Sequence, residues 1–163
     1  MSKEFISACI YDDLTAAKTL WTQGGINLND TDAAQQTVLH MCAMRGYVDM
    51  VKWLLEIGTD INANDIGNHT PLCVALAGGY SAKKETIAEI LLAHGSEVDT
   101  VDIIGRTTLH HAVAGGFSDI AKMLVEKGAA ADTRDKYGLT PLGSAIRNKD
   151  EGLIQWLENI VST

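Results

Sequence analysis

The chain has 163 residues, 46% hydrophobic and 21% charged, which is enough apolar material for one folded domain with a sizeable core. Lys plus Arg number 13 against 21 Asp plus Glu, a net charge of −8, so its surface repels phosphate backbones and anionic bilayers. No apolar run nears the roughly 20 residues that span a membrane, and three cysteines, an odd number, make no disulfide framework.

The opening, MSKEFISACIYDD, carries acids where a secretory leader would be apolar, which reads as a cytoplasmic or nuclear chain. From Glu4, EFISACIYDDLTAAKTLWTQGG follows a two-helix pattern stopped by Gly24 and Gly25. After it, three series recur together. A threonine opens TVLHMCAMRG at Thr37, TPLCVALAGG at Thr70, TTLHHAVAGG at Thr107 and TPLGSAIRNK at Thr140, at intervals of 33, 37 and 33 residues. An acid stands five residues ahead of each: Asp32, Asp65, Asp102 and Asp135. A helical apolar stripe follows, through Met50, Val51, Leu54 and Leu55, then Ile87, Ala88, Leu91 and Leu92, then Ile120, Ala121, Leu124 and Val125. These stripes stop at Gly58, Gly95 and Gly128.

Each unit has a simple physical reading. The threonine is an N-cap, and Pro71 and Pro141 occupy the next position, where a missing N–H loses nothing. A first helix of about two and a half turns ends at Gly46, Gly78-Gly79 or Gly115-Gly116. A second helix and a polar return loop complete the unit. The interval of 37 comes from four extra residues around Tyr80–Glu85, with the register resuming at Ile87. They lengthen a surface turn, as a partner-specific finger or as a neutral insertion. Downstream, LIQWLENI supplies a last helix with no return loop, and this ending, with Met1, reads as the limits of a complete protein. Two short helices cannot bury both faces alone, so neighbouring units must stack. The expected layout is one domain over 1–163: an N-terminal cap unit at 1–31, internal units at 32–64, 65–101 (with the insertion) and 102–134, and a C-terminal cap unit at 135–163. The caps carry water-facing Lys3, Glu4, Lys149, Asp150 and Glu151.

The stretches DIIGRTTLHHAVAGG from Asp102 and LLEIGTDINAND from Leu54 resemble the ankyrin repeat family, and the resemblance covers nearly the whole chain. It implies an all-α repeat solenoid, a stack of antiparallel helix pairs with β-hairpin-like loops. It also implies a non-catalytic protein–protein interaction module that grips its partner with the concave face and loop tips. The motif histidine, which in the family bonds the neighbouring turn, is present as His40 and His110 and replaced by Cys73 and Gly143. The family turn needs positive φ two residues before the threonine. Gly105, Gly138 and Asn68 suit that, whereas Gln35 does so poorly and predicts a remodelled or mobile first internal turn.

Little else in the chain points to chemistry. The five histidines show no converging ligand spacing, so no metal is expected. Cys9, Cys42 and Cys73 fall on small inward positions and read as apolar fillers. Phosphate-loop, dinucleotide, zinc-protease and nucleophile-elbow motifs are missing, so neither a catalytic residue nor a cofactor is expected. Trp53, Ile90, Met123 and Trp156 share one second-helix position and are expected to cover the seams between helices. Asn62 resembles the asparagine hydroxylated in some animal ankyrin proteins and is a candidate for that modification, against a plain loop asparagine bonding its own turn.

Recognition remains. Mapped onto the family, the loop tips carry Ile66, His69, Ile103, Ile104, Arg106, Lys136, Tyr137 and Leu139, with Arg134 beside them and Arg45 and Arg147 on the first helices. Large apolar side chains at surface positions mark an interface, and the arginines gather positive charge on an acidic chain. The expected partner is therefore a protein with an acidic and apolar segment, bound by a monomer, without nucleic acid or membrane. Ile103 and Tyr137 could instead pack tip against tip. Length and layout also resemble the ankyrin-type inhibitors of cyclin-dependent kinases, which makes a stoichiometric enzyme inhibitor the alternative.

Overall fold

The computed structural model describes residues 2–78 and 82–162. Among these residues there are ten α-helices and no strand, and one isolated bridge pairs Val101 with Thr107. The chain divides after Ser96 into two compact units.

The first unit holds α1 (Lys3–Ile10), α2 (Leu14–Gln23), α3 (Val38–Arg45), α4 (Val48–Glu56), α5 (Pro71–Ala77) and α6 (Lys84–Ala93). The second holds α7 (Thr108–Ala114), α8 (Ser118–Glu126), α9 (Pro141–Asn148) and α10 (Glu151–Val161). Each odd-numbered helix packs on the even one that follows it, and first helices also pack on first helices, α1 on α3 on α5 and α7 on α9. The expected helix stops hold: α2 ends before Gly24, α5 before Gly78 and α7 before Gly115. Of the expected insertion, Tyr80 and Ser81 lie outside the described residues, and Ala82 and Lys83 turn into α6.

All four motif threonines sit extended at a helix N-cap. The hydroxyls of Thr70, Thr107 and Thr140 accept from the N–H groups of Cys73, His110 and Gly143 at 3.3, 3.3 and 3.1 Å. At three helices without the threonine motif, other side chains cap. Ser2 caps α1, Asp13 caps α2 and Asp150 caps α10.

The helical stripes form the cores. Met50, Val51 and Leu54, then Ile87, Leu91 and Leu92, are buried in the first unit, as are Ile120, Ala121 and Leu124 in the second. Burying such side chains supplies about 1.5–3 kcal/mol each. Trp53 closes over Phe5, with ring centroids 6.3 Å apart and planes tilted by 57°, so this seam position ties α4 to α1. Ile90, Met123 and Trp156 are half-buried. The three cysteines are buried, and the Cys42 thiol donates to the Cys9 carbonyl at 3.5 Å. The adjacent Cys9 side chain, and burial after it, push the Cys42 thiol well above its ordinary range, so it stays protonated and unreactive.

Candidate protein-interaction surface

The loop tips are built on four aspartates that act alike. Oδ1 of Asp32 accepts from Ala34 and Gln36 N–H at 2.8 and 2.9 Å. Oδ1 of Asp65 takes Gly67 and His69, that of Asp102 takes Ile104 and Arg106, and that of Asp135 takes Tyr137 and Leu139. A backbone hydrogen bond closes each turn, from Asp32 N–H to the Gln36 carbonyl at 3.0 Å and correspondingly in the other three. An aspartate side chain that copies a backbone turn explains why the acid recurs at this spacing.

That geometry corrects one expectation. Gln35 does not remodel the first internal turn. It adopts φ 59°, as Asn68 does, in the place of Gly105 (81°) and Gly138 (76°). The two Asp32 hydrogen bonds hold the left-handed residue in spite of its Cβ. Tip is joined to tip by backbone within each unit, Ile66 N–H to the Ala34 carbonyl and Lys136 N–H to the Ile104 carbonyl, both at 2.9 Å.

The second oxygen of each later aspartate faces a neighbouring side chain. Gln36 Nε2 lies 3.4 Å from Asp65 Oδ2, and Arg106 Nε lies 3.5 Å from Asp135 Oδ2. Both Gln36 and Arg106 stand immediately before a motif threonine, so within each unit this position reaches from one turn to the next. His111 Nε2 lies 3.1 Å from Asp102 Oδ2. Burial alone would raise the carboxyls of Asp65 and Asp135, but the N–H donors and these neighbours outweigh it and hold both below the ordinary carboxylate range.

His40 and His110 each span two turns, with Nε2 3.0 Å from the carbonyls of His69 and Leu139. Their Nδ1 atoms accept from the N–H groups of Thr37 and Thr107 at 3.2 and 3.1 Å, which fixes the proton on Nε2. Burial in this neutral tautomer pushes both pKa values down.

The predicted contact residues divide into groups. Ile66, Ile103 and Tyr137 are exposed by 66, 60 and 79%. Ile103 and Tyr137 therefore do not bury each other in tip-to-tip packing. Ile104 and Leu139, expected at the surface, are half-buried. His69 turns back to Asp65 Oδ1 at 3.1 Å, and Arg134 to the Gly138 carbonyl at 3.1 Å, while Lys136 is exposed. Arg45 stands apart. It donates to the Met41 carbonyl at 3.0 Å and lines a hollow with Asp12, Tyr47 and Lys83. In the second unit Arg106, Leu139 and Arg147 line one cleft of about 230 Å³ with His110, His111, Ala114, Ser144 and Asn148. Ser144 gives no signal in the sequence, because a serine inside a helix reads as a small filler. Asn62, half-buried in the loop after α4, donates its N–H to Asp60 Oδ1 at 2.9 Å, so Asp60 forms the local turn. Among the described residues no helix is long and apolar enough to cross a membrane.

Residues 5–102 and 79–160 match the family described as ankyrin repeats (3 copies). Cyclin-dependent kinase 4 inhibitor B of Rattus norvegicus is 34% identical over 120 residues, which is 73% of this chain and 88% of that protein. The putative ankyrin repeat protein YahD of Escherichia coli K12 is 34% identical over 131 residues, 77% of this chain and 63% of that one. Glycerophosphocholine phosphodiesterase gde1 of Schizosaccharomyces pombe is 35% identical over 129 residues, 78% of this chain, and there the chain spans 11% of the relative's length. The recurring aspartate turns, the threonine caps and these matches agree: the chain belongs to the ankyrin repeat family, whose repeats are generally non-catalytic protein-interaction modules.

Proposed function

We propose that this chain binds a partner protein through its loop tips and first-helix face, contacting a segment that carries both apolar and acidic side chains. One observation carries the reading: Ile66, Ile103 and Tyr137 expose large apolar side chains on turns whose own geometry does not use them. Burying three or four such side chains supplies about 1.5–3 kcal/mol each, against about 4–15 kcal/mol for association. Only at the favourable ends of both ranges, about 12 against about 4 kcal/mol, do these contacts alone reach a micromolar complex, and a tighter one needs more contact. In this reading the chain consists of five units, 1–31, 32–64, 65–101, 102–134 and 135–163. The contact set is Arg45, Ile66, His69, Ile103, Ile104, Arg106, Arg134, Lys136, Tyr137, Leu139 and Arg147. Affinity capture followed by cross-link mapping tests it. Cross-links should fall on the tips, and Ile103→Ala with Tyr137→Ala should abolish capture with an unchanged melting temperature. Unchanged capture removes this surface.

A second reading, a stoichiometric inhibitor of an enzyme such as a kinase, is favoured by the likeness to cyclin-dependent kinase 4 inhibitor B across 88% of that protein. Kinase assays on captured partners decide between inhibition and plain binding. Hydroxylation of Asn62 would show as a mass increase of one oxygen on its peptide from native material.

A further inference from the structure

The cleft between α7 and α9 is lined by two arginines and by no carboxylate. Arg147 is exposed, and its guanidinium makes no hydrogen bond or ion pair among the described residues. Arg106 directs only Nε towards Asp135, at 3.5 Å, which leaves both Nη groups without a protein acceptor. Ser144 lines the same cleft, and its hydroxyl makes no hydrogen bond among the described residues. The remaining polar donors are committed. His110 Nε2 serves the Leu139 carbonyl, His111 Nε2 serves Asp102, and the Asn148 amide serves the Val113 and Ala114 carbonyls at 3.2 and 2.9 Å. No carboxylate is among the lining residues. Asp102 and Asp135 spend Oδ1 on their own turns, while Asp102 Oδ2 faces His111 and the buried Asp135 Oδ2 faces Arg106 Nε.

Two guanidinium forks and a serine hydroxyl on one cleft with no carboxylate in its lining suit an acceptor-rich anion. We propose that this cleft seats carboxylate side chains of an extended partner segment, one at Arg147 and one at the Nη end of Arg106, with Ser144 donating between them. The proposal rests on the protein-binding reading above and names the chemistry that the second unit selects. Arg106 stands at the tip end of the cleft and Arg147 in the last turn of α9. The eight residues of α9 are about 12 Å long at 1.5 Å each. An extended peptide covers that length in about four residues at about 3.3 Å each, so two acids four residues apart share a face. Leu139 and Ala114 supply the apolar wall against which their methylene groups rest.

Random peptides displayed on phage, selected on the full chain, supply the probe. Fluorescein-labelled synthetic copies of the winners are then titrated by anisotropy. Selected sequences should carry Asp or Glu pairs at that spacing, beside an apolar residue. Replacing the Glu at the Arg147 position by Gln, or Arg147→Ala in the protein, should each weaken binding about tenfold, and the two changes together no further. Arg147→Lys should recover part of the loss, and added salt should weaken the original pair alone. Three results overturn the seat: winners without acids, equal affinity of Glu and Gln peptides, or binding only by peptides with phosphoserine in place of Glu. Indifference to Arg147→Ala with loss on Tyr137→Ala overturns the seat and keeps the protein-binding reading. Indifference to both overturns the two together.

Discussion

Nε2 of His110 lies 3.0 Å from the carbonyl oxygen of Leu139, which is 29 residues further along the chain. The same imidazole accepts the Thr107 N–H on Nδ1, so one neutral ring satisfies the start of α7 and clasps the next turn. The Leu139 carbonyl also accepts the Asp135 N–H, whereas Thr107 N–H has no second acceptor among the described hydrogen bonds. His110→Ala should therefore cost about 1–3 kcal/mol, chiefly from leaving that N–H buried and unpaired. Urea unfolding measures it.

Both clasping histidines are shifted downwards, first because burial disfavours the cation, so the unfolded chain binds protons that the folded chain refuses. Their stabilising contribution is complete above the unfolded value of about 6.5 and is lost as pH falls below it. Asp65 and Asp135 are also shifted down, and theirs is lost only as pH falls below the ordinary carboxylate value of 3.8. Urea midpoints should decline in two stages on acidification. His40→Gln with His110→Gln should erase the upper stage and spare the lower one.

Gln35 and Gly105 occupy equivalent left-handed positions, φ 59° and 81°, so opposite substitutions should have opposite signs. Gln35→Gly relieves about 1–2 kcal/mol of strain and gives back about 0.4–1 kcal/mol through the freer unfolded chain. Its melting temperature should rise slightly. Gly105→Ala places a Cβ 3.4 Å from Asp135 Cα and Lys136 N at positive φ, and should lower the melting temperature.

Aromatic residues should separate folding from binding. Phe5 is 1% exposed against Trp53, so Phe5→Ala should cost about 3–5 kcal/mol in chemical unfolding. Tyr137 is 79% exposed, and Tyr137→Ala should stay within about 0.5 kcal/mol of the original. A large loss at Tyr137 would mean that the ring supports the tip rather than a partner.

The residues that fix local structure could be read from their order alone. Thr107 caps, Pro71 and Pro141 open helices, Gly58 ends one, and Leu54 and Leu124 face inwards, because each acts over a few residues through backbone geometry or helical period. Their recurrence fixed the family and the helix pairs. Tertiary structure decided what depends on several units meeting. Gln35 keeps the turn that its side chain disfavours, held by the same two aspartate hydrogen bonds that the glycine turns make. Arg45 and Arg147 look equivalent as first-helix arginines, yet one bonds its own helix while the other lines a cleft that holds no carboxylate. Spacing can place a side chain on a face, but whether its charge is already spent depends on groups about thirty residues away, brought within hydrogen-bond reach only by stacking.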